Sequence, residues 1–205
     1  MIYKGLAFFC MWILTTQPLL SESHLTDVNV DESFAAAVKL IEQKQYVDAV
    51  SVFKILAEQE VPEAQYNLSL LFFNGLGTPK NFRQALIWSW KAHLNKHETA
   101  RIQVNNILDI ITPDLQNAVA EDLILEFTDI AKTGNPEAAL KLGITYTELL
   151  VEPDYPTAYV WLSIAQAYGV EEASGLLMST TDELTVEDVI IKQDEASTLF
   201  DEINK

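Results

Sequence analysis

The sequence contains little cysteine, glycine or proline. Its 205 residues include one cysteine, seven glycines and seven prolines. A β-sandwich or β-barrel needs many tight turns and usually more glycine and proline, so long helices with short connections are favoured. The 49% hydrophobic content is typical of a globular chain that can form one sizeable core or a short repeat array.

Positive charge is scarce as well. Thirteen Lys and Arg stand against thirty Asp and Glu, which gives a formal net charge of −17, and no Lys/Arg-rich run occurs. Phosphate binding depends on clustered Lys and Arg, so nucleic acid is not an expected partner. Anionic membrane surfaces are disfavoured for the same reason. A basic protein partner is compatible with this charge, and so is a role in solubility alone.

The N-terminus has the pattern of a secretory signal. "MIYK" is followed by the twelve-residue apolar run "GLAFFCMWILTT", then by "QPLL" and "SES". We predict a signal peptide at 1–23, with the small residues Ser21 and Ser23 before the cut, and therefore a secreted, periplasmic protein. The run is short for a membrane span, which needs roughly 20 residues, so we expect no stable span after signal removal. An uncleaved anchor is the alternative.

Candidate catalytic residues are few. Cleavage would remove Cys10 and with it any disulfide, thiolate nucleophile or sulfur metal ligand. No Ser-His-Asp or Cys-His set has a recognisable spacing. His93 and His97 are four residues apart and could share a metal, but "HLNKH" lacks the glutamate of the metalloprotease motif. We expect no catalytic residues, no cofactor and no metal. The alternative is a metal-dependent enzyme that uses both histidines and a distant carboxylate.

The chain contains an internal repeat. "ALIWSWKAHLNKHETA" (85–100) aligns with "AYVWLSIAQAYGVEEA" (158–173) at an offset of 73 residues, which pairs Trp88 with Trp161. Upstream, one extra residue makes the offset 74, and Leu68 then pairs with Leu142. Self-similarity at a fixed period is the sequence signature of repeat architectures, so the two tryptophans are predicted to occupy equivalent core positions.

Periodicity and capping signals in both copies are helical. In the first copy, residues spaced by three and four form one apolar stripe: Ala64, Leu68, Leu71 and Phe72. Polar caps, some followed by proline, predict helix starts at Asn81, Thr112-Pro113, Asn135-Pro136 and Thr185. Asp188, three residues after Thr185, completes a pattern similar to a capping box.

These signals predict an all-α chain with one helical domain. We expect a flexible mature N-terminus at 24–32 and a repeat domain at 33–205. Roughly ten helices are expected, as pairs at 33–60, 63–95 and 135–169 with additional helices at 97–132 and 170–203. The last segment is a candidate cap, because solenoids need a terminal element that covers their final apolar face.

Gly75 and Gly77 pose the question of a phosphate loop. Phosphate-binding loops carry G-x-x-x-x-G-K-[ST] or G-x-G-x-x-G after a strand. Lys80 stands here where a third glycine would be required, and the preceding residues have helical periodicity. The pair instead suits a left-handed residue that ends a helix and a reversal before Pro79. The second copy makes the same connection with "ELLVEP", which has no glycine.

The segment "AQYNLSLLFFNGLGTPKNFRQALIWSWKAH" (64–93) resembles a Sel1-like repeat, a relative of the tetratricopeptide repeat. It matches that pattern at Ala64, Leu68, Phe72, Gly75, Gly77, Ala85, Trp88 and Ala92, whereas Ser69 stands where the family usually has glycine. Residues 137–169 resemble a second repeat without the glycine pair, and residues 33–62 are similar to a generic tetratricopeptide-like helix pair.

The resemblance implies a short α-solenoid whose concave face contacts proteins, and it implies no reaction. The groove residues expected by resemblance, three on the first helix of each pair, are Phe34, Val38, Glu42, Tyr66, Leu70, Asn74, Leu140, Ile144 and Glu148. Such a mixed surface suits a peptide or an amphipathic helix of a protein partner. We predict an exported, non-catalytic repeat scaffold. A structural accessory subunit of an envelope complex remains an alternative.

Overall fold

The computed structural model describes residues 29–205, which form ten α-helices and no strands. The predicted all-α class is confirmed. The predicted signal peptide and residues 24–28 lie outside the described residues. In order, helices α1 to α10 span Val30–Glu42, Tyr46–Glu58, Pro62–Asn74, Phe82–Leu94, Ala100–Leu108, Pro113–Ala131, Pro136–Glu148, Tyr155–Ala167, Glu171–Thr181 and Val186–Ile203.

The predicted caps begin their helices. The side chain of Asn81 accepts a hydrogen bond from the Gln84 amide at 3.0 Å, and Thr112 and Asn135 cap the two helices that open with proline. A capping box forms between Thr185 and Asp188. Each side-chain oxygen satisfies a backbone N–H that has no partner within the helix, which is why the sequence alone marks these boundaries well.

The first helix begins earlier than predicted. Asn29 accepts a hydrogen bond from the Glu32 amide at 3.3 Å and caps α1. Residues 30–32 are therefore helical, whereas the sequence pattern predicts them in the flexible N-terminal segment. An Asn cap three residues before a glutamate is a start signal that explains this difference.

The helices stack in chain order. Each of α1 to α3 packs against the next helix. Helix α4 contacts both α5 and α6, and α6 packs along α7. Helix α8 then contacts α7, α9 and α10. We refer to α3–α6 as the first copy and to α7–α10 as the second copy of the repeat. Among residues 29–205, no helix is long and apolar enough to cross a membrane.

The core is formed by two clusters of buried side chains. An N-terminal cluster joins α1–α4 and includes Phe53, Leu68 and Trp88. A larger cluster extends from α4 to α10 and includes Trp90 and Trp161. The predicted core positions of Trp88 and Trp161 are confirmed, since the two residues are 9% and 6% exposed. Trp90 is fully buried and is therefore a packing residue.

The glycine pair shapes the connection between α3 and α4. Gly75 has a φ of 72° and ends α3 in the left-handed conformation. Gly77 has the same φ, and a Cβ atom there would lie 2.3 Å from the Tyr46 carbonyl oxygen at the start of α2. Only glycine allows both the positive φ and this backbone approach. The loop therefore turns the chain against α2.

Candidate functional site

The predicted groove residues of α1 divide between packing and exposure. The half-buried Phe34 meets the Phe53 ring edge-on, with centroids 5.6 Å apart and planes at 65°. Val38 is 37% exposed, and Glu42 lies exposed in the last turn. Phe34 therefore holds α1 on α2, while Val38 and Glu42 are accessible to a partner.

On α3 the central predicted residue is an aromatic one. The half-buried Tyr66 ring stacks on the His97 ring, with centroids 4.2 Å apart and planes at 17°. Leu70 is half-buried, and the exposed Asn74 side chain donates a hydrogen bond to the Leu70 carbonyl at 2.8 Å. The stack fixes the Tyr66 ring against the segment that joins α4 and α5.

On α7, Glu148 belongs to a polar cluster. It forms an ion pair with Arg101 of α5, and its Oε2 lies 3.9 Å from His93 Nε2. Arg101 Nη1 is in turn 3.3 Å from His93 Nε2. The His93 side chain lowers the pKa of Glu148, burial opposes that shift, and the Arg101 guanidinium adds to the lowering. Glu148 is therefore held as a carboxylate.

The other two predicted residues of α7 are less accessible than expected. Leu140 is only 3% exposed and is part of the larger core cluster, so its assignment to an open groove is corrected. Ile144 is half-buried and packs against the same cluster. Helix α7 packs against α6 and α8, also contacts α9, and is reached by Trp90 of α4 through Thr145, so more of its surface is covered than that of α1.

Trp90 lies beneath the polar cluster. Its indole N–H donates to the Thr145 hydroxyl of α7 at 3.1 Å, and Thr145 itself is fully buried. The His93 ring centroid is 5.2 Å from that of Trp90, and the Arg101 guanidinium carbon is 5.8 Å from it. A cation near an aromatic face is attracted to the ring electrons, so Trp90 positions Arg101 as well as filling the core.

The structure adds α5 to the predicted face. His97, which precedes α5, stacks on Tyr66 of α3, and Arg101 within α5 forms an ion pair with Glu148 of α7. Ile102 is 62% exposed. The spacing of Ala64 and Leu68 recurs in Ala100 and Val104 of α5, a signal that could have identified α5 as a first helix. We call the outward sides of α1, α3, α5 and α7 the first-helix face.

The two histidines make separate contacts. His93 lies beside the positively charged Arg101, which opposes binding of a cation at its Nε2, and the His97 ring stacks on Tyr66. Within residues 29–205, no group of three or more His, Cys, Asp and Glu side chains is arranged to hold a metal ion. Tyr66 thus pairs with His97, and Glu148 with Arg101 and His93, while the described residues assemble no set of metal ligands around either histidine.

Helix pairs that stack in chain order and pack on one another define a helical-repeat solenoid. The model of the Sel1 repeat matches residues 62–92 and 136–165, which are helices α3–α4 and α7–α8. The chain therefore carries two Sel1 repeats, and the resemblance seen in the sequence is confirmed. Sel1 repeats are generally protein–protein interaction scaffolds.

Two solved structures illustrate what this chain is similar to. A protective antigen of uropathogenic Escherichia coli strains that displays an SLR fold is 19% identical, with a TM-score of 0.37, and the match covers 85% of this chain and 46% of that one. A Sel1 repeat protein from Oxalobacter formigenes is 20% identical, with a TM-score of 0.39 and coverage of 82% and 72%. The chain thus spans under half of the first protein. No curated protein matches the sequence significantly.

Proposed function

We propose that this chain is an exported, non-catalytic scaffold that binds a protein partner through the first-helix face. The observation that carries the proposal is the 62% exposure of Ile102. Two contacts flank this apolar side chain: the Tyr66–His97 stack on the side of α3 and the Arg101–Glu148 ion pair on the side of α7. Aromatic residues and Arg are enriched in interfaces, and an apolar centre with a polar rim is the usual arrangement.

The face is ordered before any partner binds. The Tyr66 ring is stacked, and the Arg101 guanidinium is held by Glu148 above the Trp90 ring. Side chains that are already fixed lose little conformational entropy on association. The expected occupant is an amphipathic helix or a peptide. Because the chain has a net charge of −17, a basic partner would associate faster than an acidic one.

Export is proposed from the pattern of residues 1–23. N-terminal sequencing of the protein from a periplasmic fraction is expected to begin at His24. A chain that still begins at Met1 and fractionates with the membrane would support the anchor alternative.

Affinity capture from an envelope extract tests the proposed binding face. The full chain is compared with Ile102→Asp and with a matched control, Leu125→Asp, whose parent side chain on α6 is 65% exposed. Both variants add one carboxylate at an exposed position, so circular dichroism should show unchanged helicity. A protein captured by the parent and by Leu125→Asp, but lost with Ile102→Asp, would support the proposal.

The same experiment addresses the alternative of an accessory subunit held away from this face. Equal capture by the parent and by Ile102→Asp would place the interface elsewhere on the molecule and contradict the proposed face.

A further inference from the structure

A cleft of about 380 Å³ opens between α8 and α10. Its lining includes Ser163 and Ala167 of α8 and Ala196, Ser197 and Phe200 of α10. Ser197 is exposed and Phe200 is half-buried, so the cleft is accessible from the surface of the second copy.

The corresponding surface of the first copy is closed. At the repeat offset of 73, Ser163 corresponds to Trp90 and Ala196 corresponds to Leu123. Trp90 and Leu123 are 0% and 1% exposed. Helix α7 packs along α6, and its Thr145 accepts the Trp90 hydrogen bond. In the first copy, helix α7 therefore covers the surface that corresponds to the cleft in the second copy.

The contacts of α7 along α6 extend this correspondence. The side chain of Gln116 donates to the Leu149 carbonyl at 2.8 Å, and Asn117 accepts from the Val151 amide at 3.0 Å. These bonds hold the C-terminal end of α7 and the turn after it on α6. The counterpart of Asn117 in α10 is Ile190, which is 56% exposed. An apolar side chain thus stands exposed where the first copy holds the end of a covering helix.

We infer that the surface formed by Ile190 and the α8–α10 cleft, here called the second-copy surface, binds an amphipathic helix of a partner protein. The helix would lie along α10 as α7 lies along α6. Ser163 and Ala196 are smaller than the residues they replace, so the partner must supply larger apolar side chains than α7 does. The fit is that of a helix in a groove with apolar anchors.

Charge specifies the partner further. Residues 171–205 contain ten Asp and Glu but only Lys192 and Lys205 as cations, and Lys192 already pairs with Glu195 at 2.6 Å. A helix with basic residues beside its apolar stripe is complementary to this rim. A second copy of the chain fits less well, because the exposed side of α1 carries small and acidic residues such as Ala36 and Asp31.

The test uses the full 205-residue chain and a synthetic amphipathic helix of Leu and Lys, about 18 residues long so that it can fold. The matched probe replaces every Lys with Glu. Affinity is measured by fluorescence anisotropy near 0.15 M salt, where exposed charges are screened over about 8 Å. The variants are Ile190→Asp and Ser197→Trp, which blocks the cleft from its exposed rim. The control is Ile55→Asp on α2, where the parent side chain is 53% exposed.

We expect the Leu/Lys helix to bind the parent and Ile55→Asp equally. Ile190→Asp and Ser197→Trp should each weaken binding at least about tenfold, as loss of an interface anchor does. Ile190→Asp adds the same charge as Ile55→Asp, so weaker binding could not be an effect of net charge. Weaker binding with Ile102→Asp but not with Ile190→Asp would place the Leu/Lys helix on the first-helix face and contradict the inference.

Three other results would overturn the inference. The first is absence of binding, or equal binding by all variants. The second is equal affinity for the Leu/Glu helix. The third is a dimer in sedimentation that Ile190→Asp abolishes, because the occupant would then be another copy of this chain.

Discussion

The first and second copies of the repeat use the same helix order and differ in how their outer surfaces are closed. In the first copy, Trp90 and Leu123 are buried under α7. In the second, Ser163 and Ala196 line a cleft. The two copies therefore differ in two respects at these equivalent positions: the size of the side chains, and whether a described helix packs over them.

The copies also distribute volume differently between paired helices. A Cβ atom on Gly143 would lie 2.4 Å from the Leu162 side chain, so glycine on α7 accommodates leucine on α8. The counterparts in the first copy are Ser69 and Ser89, both fully buried. The Ser69 hydroxyl donates to the Ala85 carbonyl at 2.9 Å. This bond explains how serine is tolerated where the family usually has glycine.

The largest expected effect on stability comes from removing the Trp90 side chain, which is buried under α7 in the first copy. Trp90→Ala removes a fully buried ring that bridges α4 and α7, and we expect it to lower the free energy of unfolding by about 3–5 kcal/mol in urea titration. The matched Leu125→Asp at an exposed position of α6 should change it by less than about 0.5 kcal/mol. A loss below about 1 kcal/mol with Trp90→Ala would show that α7 does not depend on this contact.

A smaller effect on stability is expected from adding a methyl group at Gly143 in the second copy. Gly143→Ala should cost about 1–3 kcal/mol because its methyl group meets Leu162. In a Leu162→Ala background the same change should cost much less, and a double-mutant cycle measures the coupling. Equal costs in both backgrounds would mean that the strain lies in the backbone of α7 rather than between these two side chains.

The left-handed residue that follows α4 is a lysine, whereas the one that follows α8 is a glycine. Lys96 has a φ of 66°, and its counterpart Gly169 has a φ of 89°. A Cβ on Gly169 would meet nothing within 4 Å, so Gly169→Lys should cost about 1 kcal/mol from the backbone alone. Lys96→Gly relieves the corresponding strain but loses the exposed ion pair with Glu172. It should therefore change the melting temperature less than Gly169→Lys does. A larger change with Lys96→Gly would show that the ion pair outweighs the backbone.

The smallest effect expected is electrostatic. Glu148 has a pKa lowered from 4.5, and its counterpart in the first copy is the uncharged Asn74. A lowered folded-state pKa gives stability that is present above pH 4.5 and lost as the pH falls through the folded value. Glu148→Gln should cost under about 1 kcal/mol near pH 7, because the carboxylate is partly exposed. This difference from the parent should disappear in urea titrations below the folded pKa, and a constant difference would contradict the charge assignment.

Local signals predicted much of the fold. Caps such as Asn81 and Asn135 act within three residues, so their partners can be read from the sequence. The left-handed Gly75 is equally local. Helix α5 was harder to assign as a first helix, because segment 97–132 matches the repeat pattern poorly and its Ala100 and Val104 spacing is short.

The candidate site was less predictable than the fold. Arg101 meets His93 eight residues away and Glu148 forty-seven residues away, and helical periodicity carries no information on such distant pairs. Leu140 is buried in the core cluster that joins residues of α4 to α10, and the repeat pattern of α7 alone does not contain such contacts between distant segments. The repeat pattern places Tyr66 on the first helix of its pair, but it gives no sign that His97 is the residue on which Tyr66 stacks.

Site-specific photocrosslinking in an envelope extract tests the account most directly. A photoreactive residue is placed at one of three similarly exposed isoleucines: Ile102 on the first-helix face, Ile190 on the second-copy surface, or Ile55 on α2. The account predicts discrete protein crosslinks from Ile102 and Ile190 and none above background from Ile55. Equal labelling from all three positions, or crosslinks from Ile55 alone, would contradict the claim that these two surfaces are where the scaffold holds its partners.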